Sequence, residues 1–397
     1  MAVMKKNFVL SVSLLFSSAV LLAQQSKISR SFIDEQLQSA TAHYKELMKN
    51  LPHDLFPRSF DASTGQLTTS NSSWWCSGFY PGTLLYLYEY TKDDILKHEA
   101  IEKLKLLEKE QYNSSTHDLG FMMYCSFGNA YRLWHDEKYK NILVNSARSL
   151  ASRFNSTTGT IRSWDFGDWK YPVIIDNMMN LELLTWASAN STDSSLKQVA
   201  VTHANTTLLH HFRADYSCYH LVDYDPQTGN VLKRQTVQGA ADSSAWARGQ
   251  GWALYGYTMM FRETGIREYL QQARHIARFI MENPHLPADK IPYWDFDAPG
   301  IPGALRDASS AAVMASAFIE LSRYVSKKEK SKYKKIATQM LESLASDTYS
   351  SGENENGGFI LKHSVGNFPA GSEIDAPLTY ADYYYIEALI RYKNEFL

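Results

Sequence analysis

The stretch Asp176-Asn177-Met178-Met179-Asn180-Leu181-Glu182-Leu183-Leu184 sets a polar turn directly against a helix-length apolar run. An Asp followed by apolar residues at helical spacing is typical of the first turn of a helix whose body is buried. The same combination, a polar turn with Asp, Gly or Arg leading into small and aromatic residues, occurs six times. The six turns are Trp74–Phe79, His117–Phe121, Asp176–Asn180, Trp246–Trp252, Arg306–Ala311 and Tyr380–Tyr385. This recurrence predicts six buried helices that begin alike.

Between the six units lie amphipathic segments that are richer in charged residues and are typical of surface helices. They run near Ser31–Lys49, Asp93–Glu110, Lys138–Phe154, Ser194–His211, Ile266–Asn283 and Lys327–Ser346. Six exposed helices that alternate with six apolar ones bury every apolar face if the second set forms a ring inside the first. The sequence therefore predicts an all-α fold, an (α/α)6 barrel. The units are too unevenly spaced for a solenoid.

In such a barrel all six inner helices begin at one rim, so their polar turns meet around a single cleft. One of the longest inserts also contains strand-like residues, Tyr219–Tyr224, followed by Gly229-Asn230 and then Val231–Lys233. Apolar alternation around a Gly-Asn turn predicts a small hairpin over this rim.

The N-terminus has the pattern of a cleavable secretory signal. Lys5 and Lys6 precede an apolar run, Phe8–Leu22, which is followed by the small residue Ala23. The run is short for a membrane span, so removal of residues 1–23 is favoured over a retained helix. We expect an exported protein, periplasmic or secreted, with no membrane association after cleavage. Residues 24–397 then form a single catalytic domain.

Composition excludes several classes of function. Forty basic and 42 acidic residues leave a net charge of −2, without the basic surface that nucleic-acid binding needs. Three cysteines without a CxxC pair suggest neither a disulfide framework nor zinc. The chain lacks nucleotide, zinc-protease and esterase motifs, so we predict neither metal nor cofactor. Much of the 13% aromatic content adjoins the polar turns, which suits sugar rings.

Asp176 is the strongest candidate for catalysis. A carboxyl at the closed end of an apolar pocket has a raised pKa and can act as a general acid near neutral pH. Asp118 offers a second carboxyl at the start of an earlier inner helix. For both residues the alternative is a helix N-cap that accepts backbone N–H groups. If both face the cleft, their like charges push the two pKa values apart.

Arg248 precedes Gly249 and Gly251, glycines that allow a ligand to approach closely, so its guanidinium is a candidate clamp for a substrate carboxylate. The alternative is a structural ion pair with a rim Asp such as Asp242. Asp307 is expected to cap its helix, with Arg306 as its partner. His220 and Gln238 are candidate hydrogen-bonding groups for sugar hydroxyls. Trp164 and Trp252 are candidate stacking surfaces, with core packing as the alternative.

Five motifs, in order along the chain, resemble those of the unsaturated glucuronyl hydrolases. They are His117–Phe121, Ile175–Asn180, Trp246–Trp252, Pro292–Phe296 and Asp382–Tyr385. The resemblance implies an (α/α)6 barrel and a site that takes an unsaturated oligosaccharide. It implies removal of the 4,5-unsaturated uronic acid that lyases leave at the non-reducing end of glycosaminoglycan fragments, by hydration of the vinyl ether.

The resemblance also implies roles for individual residues. Asp176 protonates C4 and then, as a base, assists attack of water at C5, while Asp118 is the second catalytic carboxylate. His220, Gln238, Arg248, Trp252 and Trp164 fall at substrate-binding positions.

Two rival functions stay open from the sequence. Unsaturated rhamnogalacturonyl hydrolases share the fold and hydrate pectin fragments, and only Arg248-Gly249-Gln250, where that family more often has Arg-Gly-Asn, favours the glucuronyl side. A non-catalytic carbohydrate-binding protein would use the same aromatic cleft, but it leaves the two rim carboxyls unexplained.

Overall fold

The computed structural model describes residues 28–397, so the predicted signal peptide lies outside the described residues. From residue 28 to the C-terminus, no helix combines the length and the apolar character needed to cross a bilayer.

Outer and inner helices alternate along the chain between residues 28 and 397. The outer helices are α1 (Arg30–Asn50), α3 (Asp94–Leu107), α5 (Glu137–Ala151), α7 (Ser195–His210), α9 (Arg267–Glu282) and α11 (Lys327–Leu344). The inner helices are α2 (Phe79–Thr91), α4, α6 (Asn177–Ala189), α8 (Ala247–Thr264), α10 (Ala308–Leu321) and α12 (Thr379–Phe396). Helix α4 begins as a π-helix, Gly120–Gly128, and continues as an α-helix over Asn129–Trp134.

The inner helices close a ring. Each packs on the next, α2 on α4, α4 on α6, α6 on α8, α8 on α10 and α10 on α12, and α12 packs back on α2. The fold is thus the predicted (α/α)6 barrel. Every residue of α10 is buried, as a helix enclosed by others requires, whereas α9 has a buried stripe that includes Tyr269, Ile276 and Ile280.

Local signals start the outer helices where the sequence predicts them. Ser29 and Ser326 accept the N–H of Phe32 and Glu329, and the Ser326 hydroxyl also donates to the Glu329 carboxylate at 2.8 Å. The π-helical start of α4 is not foreseen by the sequence analysis. Because π-turns inside helices occur mostly at functional sites, this irregularity points to the segment after Asp118.

Short sheets lie in the connections between the helices of the barrel. Strands β1 (Phe56–Asp61) and β2 (Gln66–Ser70) form a hairpin, as do β3 (Phe154–Asn155) with β4 (Thr160–Ile161), and β8 (Ser364–Asn367) with β9 (Ser372–Ala376). A three-stranded antiparallel sheet contains β5 (Pro172–Ile174), β6 (Leu221–Tyr224) and β7 (Val231–Gln235). The predicted hairpin is therefore β6–β7, and β5 extends it toward Asp176.

Replacement of Gly120 by Ala tests how closely α4 and α6 must approach. A Cβ at this position would lie 2.4 Å from Asn180 Cα, a backbone atom that cannot move alone. We expect Gly120→Ala to lower the free energy of unfolding by about 1–3 kcal/mol in urea titration. Gly251→Ala is the control, because its Cβ would approach no atom closer than the Val313 side chain, at 3.3 Å. Equal stability of the two variants would contradict the close approach.

Candidate active site

Asp176 joins the end of β5 to the first turn of α6. It occupies the N-cap position, but its side chain caps no backbone N–H, so the capping alternative is wrong. The carboxyl is buried, and its Oδ2 has no hydrogen-bond partner among the described residues. The Ile175 N–H donates to the His220 carbonyl, which places His220 beside Asp176. A buried carboxylate oxygen without a partner is costly and typical of functional sites.

Burial raises the pKa of Asp176 to about 7. The Arg248 guanidinium acts against this rise and the Asp118 carboxylate adds to it. The Trp252 indole has a smaller lowering effect, although its Nε1 makes no regular hydrogen bond. Asp176 therefore exchanges its proton near neutral pH, as a residue that serves first as acid and then as base requires.

Burial also raises the pKa of Glu182 and of Asp382 to about 7, so a raised pKa does not by itself identify the acid. The Asp382 oxygens accept the N–H groups of Ile360 and Leu361, and Glu182 pairs with Arg262. Both are engaged by the protein itself. Asp176 differs because one oxygen is left for another partner.

Asp118 precedes the π-helical start of α4. Its Oδ2 accepts the Thr116 hydroxyl at 2.8 Å, and its Oδ1 lies 3.3 Å from His117 Nε2. Its side chain therefore caps no helix, and the capping alternative is wrong here too. Because the charge on Asp118 raises the pKa of Asp176, the two carboxyls lie within electrostatic reach.

Two asparagines hold the carboxyl-bearing turns together. The His117 Nδ1 lies 2.7 Å from Asn177 Oδ1, and the Phe121 N–H donates to Asn180 Oδ1 at 2.9 Å. Both bonds run between the start of α4 and the first turn of α6. This role is not predicted from the sequence, although two Asn residues three apart beside Asp176 carry the signal for it.

His220 faces Asp176 as a neutral donor. Its Nδ1 accepts the N–H of Val237 at 3.0 Å, so the single proton of the neutral ring sits on Nε2. That Nε2 lies 3.8 Å from Asp176 Oδ2, and burial lowers the pKa of His220 to about 3. Gln238 lies beside this pair and donates its amide to the Gly366 carbonyl at 3.1 Å.

Arg248 is buried and pairs with Asp307, with Nη1 3.1 Å from Oδ2. It also donates to the carbonyls of Val365 and Gly366 on β8. Among the bonds of residues 28–397, none uses the Nε–H or the second Nη2–H of Arg248, so both can donate to a ligand. The expected ion-pair alternative is thus correct in kind, but its partner is Asp307.

Two expected partners are wrong. Asp242 accepts the Thr236 N–H instead of pairing with Arg248, and Arg306 pairs with Asp289 instead of Asp307. Asp307 does cap α10, accepting the Ser309 N–H, so that part of the prediction is confirmed.

Of the two predicted tryptophans, Trp252 lies beside Asp176, whereas the ring contacts of Trp164 are with Phe166 and Trp169. Trp252 is fully buried against Phe121 and Tyr384, with Tyr380 6.5 Å away. Trp164 is half-buried and stacks on the exposed Phe166 at 5.4 Å. The indole N–H groups of Trp164 and Trp252 have no hydrogen-bond partner in the part of the chain that the structure describes, and the same holds for His220 Nε2. Four of the seven residues predicted for the site thus have a buried polar atom without a partner.

A cavity of about 350 Å³ lies inside the ring and extends from Gly120 and Met179, in the first turns of α4 and α6, toward Arg391. The carboxylates on its wall are bonded within the protein, Glu387 to Tyr255, Ser316 and Arg391. We therefore place the candidate site at the N-terminal rim. Across residues 28–397, no group of three or more His, Cys, Asp or Glu is arranged to hold a metal ion.

Comparison with known proteins gives a consistent result. The chain is 45% identical to the unsaturated glucuronyl hydrolase of Formosa agariphila, over 94% of this chain and 93% of that protein. It is 47% identical to an unsaturated glucuronyl hydrolase specific for heparin, whose crystal structure superposes with a TM-score of 0.89 over 92% of this chain and 98% of that one.

A mutant of the Streptococcus agalactiae unsaturated glucuronyl hydrolase, in complex with dGlcA-GalNAc6S, is 28% identical with a TM-score of 0.79, over 92% of each chain. No protein-family model matches the chain.

The buried Asp176 predicts a pH-dependent effect of Asp176→Asn on stability. The pKa of Asp176 is about 7 in the folded protein and 3.8 without burial. Ionising Asp176 in the folded protein therefore has a cost that lowers the free energy of unfolding as the pH rises from 4 to above 7. The Asn variant escapes this cost. We expect it to be more stable than the parent by about 1–3 kcal/mol at pH 8, with the difference vanishing near pH 4. Urea unfolding at both pH values measures this.

Asp225→Asn is the control with the opposite sign, because backbone N–H groups lower the pKa of Asp225. Its stability relative to the parent should fall as the pH rises. An Asp176→Asn variant that is less stable than the parent at pH 8 would contradict the assigned burial.

Proposed function

The chain belongs to the unsaturated glucuronyl hydrolases, and on this premise we propose that the cleft around Asp176 hydrates the vinyl ether of an unsaturated uronic acid. The substrate is the non-reducing-end 4,5-unsaturated uronic acid of glycosaminoglycan fragments made by lyases. The relative in complex with dGlcA-GalNAc6S supports a substrate of this class. The observation that carries the proposal is the Asp176 carboxyl, buried, with an oxygen free of partners and a pKa of about 7.

The protonated Asp176 carboxyl donates its proton to C4 of the double bond, and positive charge develops at C5 and the ring oxygen. Water adds to C5 and gives a proton to the Asp176 carboxylate, which restores the acid. The hemiketal at C5 then opens to a ketone, and the ring oxygen becomes a hydroxyl on C1. C1 now carries a hydroxyl and the glycosidic oxygen, so it collapses to an aldehyde and releases the neighbouring sugar. One water is consumed and no proton is gained or lost.

We assign Asp118 to the stabilisation of positive charge at C5, because its charge already acts on Asp176. We assign the free N–H groups of Arg248 to the uronate carboxylate. The remaining polar atoms, the N–H of His220 and the amide of Gln238, suit the sugar hydroxyls, and Trp252 and Trp164 its apolar face. The ion pair with Asp307 supports the role assigned to Arg248, because it fixes the guanidinium before substrate arrives.

A pectin-derived substrate is the second candidate. The named relatives favour the glycosaminoglycan class. A panel of lyase-generated disaccharides, with pectin-derived ones included, decides between them. A pure binding protein would leave the double-bond absorbance of every member of the panel unchanged.

Export is part of the proposal and depends on residues 1–23, which precede the described part of the chain. We propose a periplasmic or secreted enzyme. Fractionation of cells that express the full chain tests this, and retention of uncleaved protein in the cytoplasm would contradict it.

Replacement of Asp176 by Asn removes the exchangeable proton while keeping the shape of the side chain. We expect turnover to fall by about 10²–10⁴-fold, since positioned acid–base groups contribute that much, while binding of the unsaturated disaccharide persists. Loss of the ultraviolet absorbance of the double bond measures turnover, and calorimetry measures binding. Asp242→Asn, a rim carboxyl that accepts only a backbone N–H, is the control. Near-parental turnover in Asp176→Asn would remove this residue from the mechanism.

Replacement of Arg248 by Lys keeps a positive charge beside Asp307 but removes the planar fork. We expect KM for the unsaturated disaccharide to rise about tenfold or more with a smaller change in kcat, because a binding contact is lost. Initial rates over a range of substrate concentrations give both constants. An unchanged KM would reject the role of Arg248 in holding the uronate.

A further inference from the structure

Trp74 lies at the N-terminal rim, in the turn that leads into α2, and the residue is 41% exposed. One face of its indole is covered by Arg58, whose Cζ lies 4.3 Å from the ring centroid. The exposed part of the ring is therefore on the side away from Arg58. Because Trp is highly buried on average, an indole left open beside a cleft suits a ligand better than a place in the core.

Two hairpins hold Arg58 in this position. The pairing of β1 with β2 shifts between Pro57 and Ser59, so Arg58 is the extra residue of a β-bulge. Bulges redirect a side chain and are common beside active sites. The Arg58 Nη2 donates to Glu373 Oε1 on β9 at 2.7 Å, and both side chains are mostly buried. Arg58 is thus fixed before any ligand arrives, and with it the indole that lies against it.

Glu373 connects this ion pair to the candidate active site. Its φ of +54° is a conformation that residues other than Gly adopt at a cost, often at functional sites. A Cβ at Gly366 would lie 2.5 Å from Glu373 Oε2, so the two residues are in contact. The Gly366 carbonyl accepts the Arg248 guanidinium and the Gln238 amide. Trp74 therefore lies outward from residues that we assign to the unsaturated sugar.

The residue after Trp74 reaches the same site from inside the ring. The centroid of the Trp75 ring lies 4.9 Å from that of Tyr380 and 5.5 Å from that of Phe121. The Phe121 ring in turn lies 5.2 Å from Trp252. One turn thus directs two consecutive indoles to different places, Trp75 toward the rings around Trp252 and Trp74 to the surface beside them.

We propose that the open face of Trp74 is a subsite for a sugar on the reducing-end side of the unsaturated uronate. This rests on the proposed function, because it extends the same site along the oligosaccharide. The C–H face of a sugar ring is apolar and stacks on an indole. Since Glu373 balances the charge of Arg58, the subsite recognises this ring face and not a charged substituent. Arg58 is a positioning residue that acts through Trp74.

The first test compares Trp74→Ala with the parent on an unsaturated disaccharide and an unsaturated tetrasaccharide made by one lyase from one glycosaminoglycan. We expect KM for the tetrasaccharide to rise about tenfold with kcat unchanged, as the loss of one stacked ring predicts. Trp74→Phe keeps a ring and should recover most of this loss. A rise for both saccharides places the second sugar on Trp74, and a rise for the tetrasaccharide alone places a later sugar there. Parental KM for both would overturn the proposal.

Ile95→Ala is the control for loss of an exposed apolar side chain. Ile95 is 56% exposed at the start of α3, which follows the C-terminal end of α2 and so lies away from the N-terminal rim. Both constants should stay parental in this variant. Partial misfolding of Trp74→Ala would lower kcat through the active fraction and leave KM unchanged. A dimer that Trp74→Ala dissociates, with KM unchanged, would overturn the proposal in favour of a contact between two copies.

The second test asks whether Arg58 acts through Trp74. We expect Arg58→Ala to raise KM for the tetrasaccharide in the parent and to have no further effect in Trp74→Ala, because two residues of one contact are not additive. An equal effect of Arg58→Ala in both backgrounds would overturn its positioning role.

Binding separates failure of the subsite from failure of the proposed function. Calorimetry measures how the tetrasaccharide binds to Asp176→Asn, with and without Trp74→Ala. If the proposed function fails, the parent turns over neither saccharide, while about tenfold weaker binding in the double variant still supports the subsite. Equal binding in the two variants would overturn the subsite, whether or not the parent turns over.

Discussion

The close approach of α4 to α6 is the constraint on which the candidate site depends. Gly120 leaves no side chain between the two helices, so Asn177 and Asn180 reach across to His117 and to the Phe121 N–H. These contacts fix where two carboxyls, one from each helix start, lie relative to each other. With a looser contact, Asp118 and Asp176 would lie too far apart to act on one substrate.

The second constraint is electrostatic. A buried Asp176 with an unpartnered oxygen destabilises the fold, and the surrounding barrel offsets this cost with a large apolar core. Arg248 lowers the cost of ionising Asp176, but its own charge is balanced by Asp307. The ion pair thereby keeps Arg248 from holding Asp176 permanently ionised, which would abolish its use as an acid.

Much of this architecture could be predicted from local patterns. The outer helix predicted over Lys327–Ser346 is Lys327–Leu344, because the Ser326 cap and the amphipathic periodicity are local properties. The partner of Arg248 could not be found in this way, because Asp307 meets it only once α8 and α10 pack side by side in the ring. The π-helical start of α4 could not be predicted either, since it has no periodic signal in Gly120–Gly128, and its Phe121 N–H bonds to Asn180 on the neighbouring helix.

The polar groups inside the ring are the reason for placing the candidate site at the N-terminal rim. Deeper in the ring Glu182, Glu387 and Arg391 are bonded to other protein groups, so these charges stabilise the ring and have little left to offer a ligand. At this rim Asp176, His220 and Trp252 each keep a buried polar atom without a partner in the described chain. Such atoms gain hydrogen bonds only when a ligand arrives, so binding energy is available there and not deeper in the ring. The inner helices thus pack in the same way along their length. What distinguishes the candidate site from the rest of the ring is that its buried polar groups lack hydrogen-bond partners.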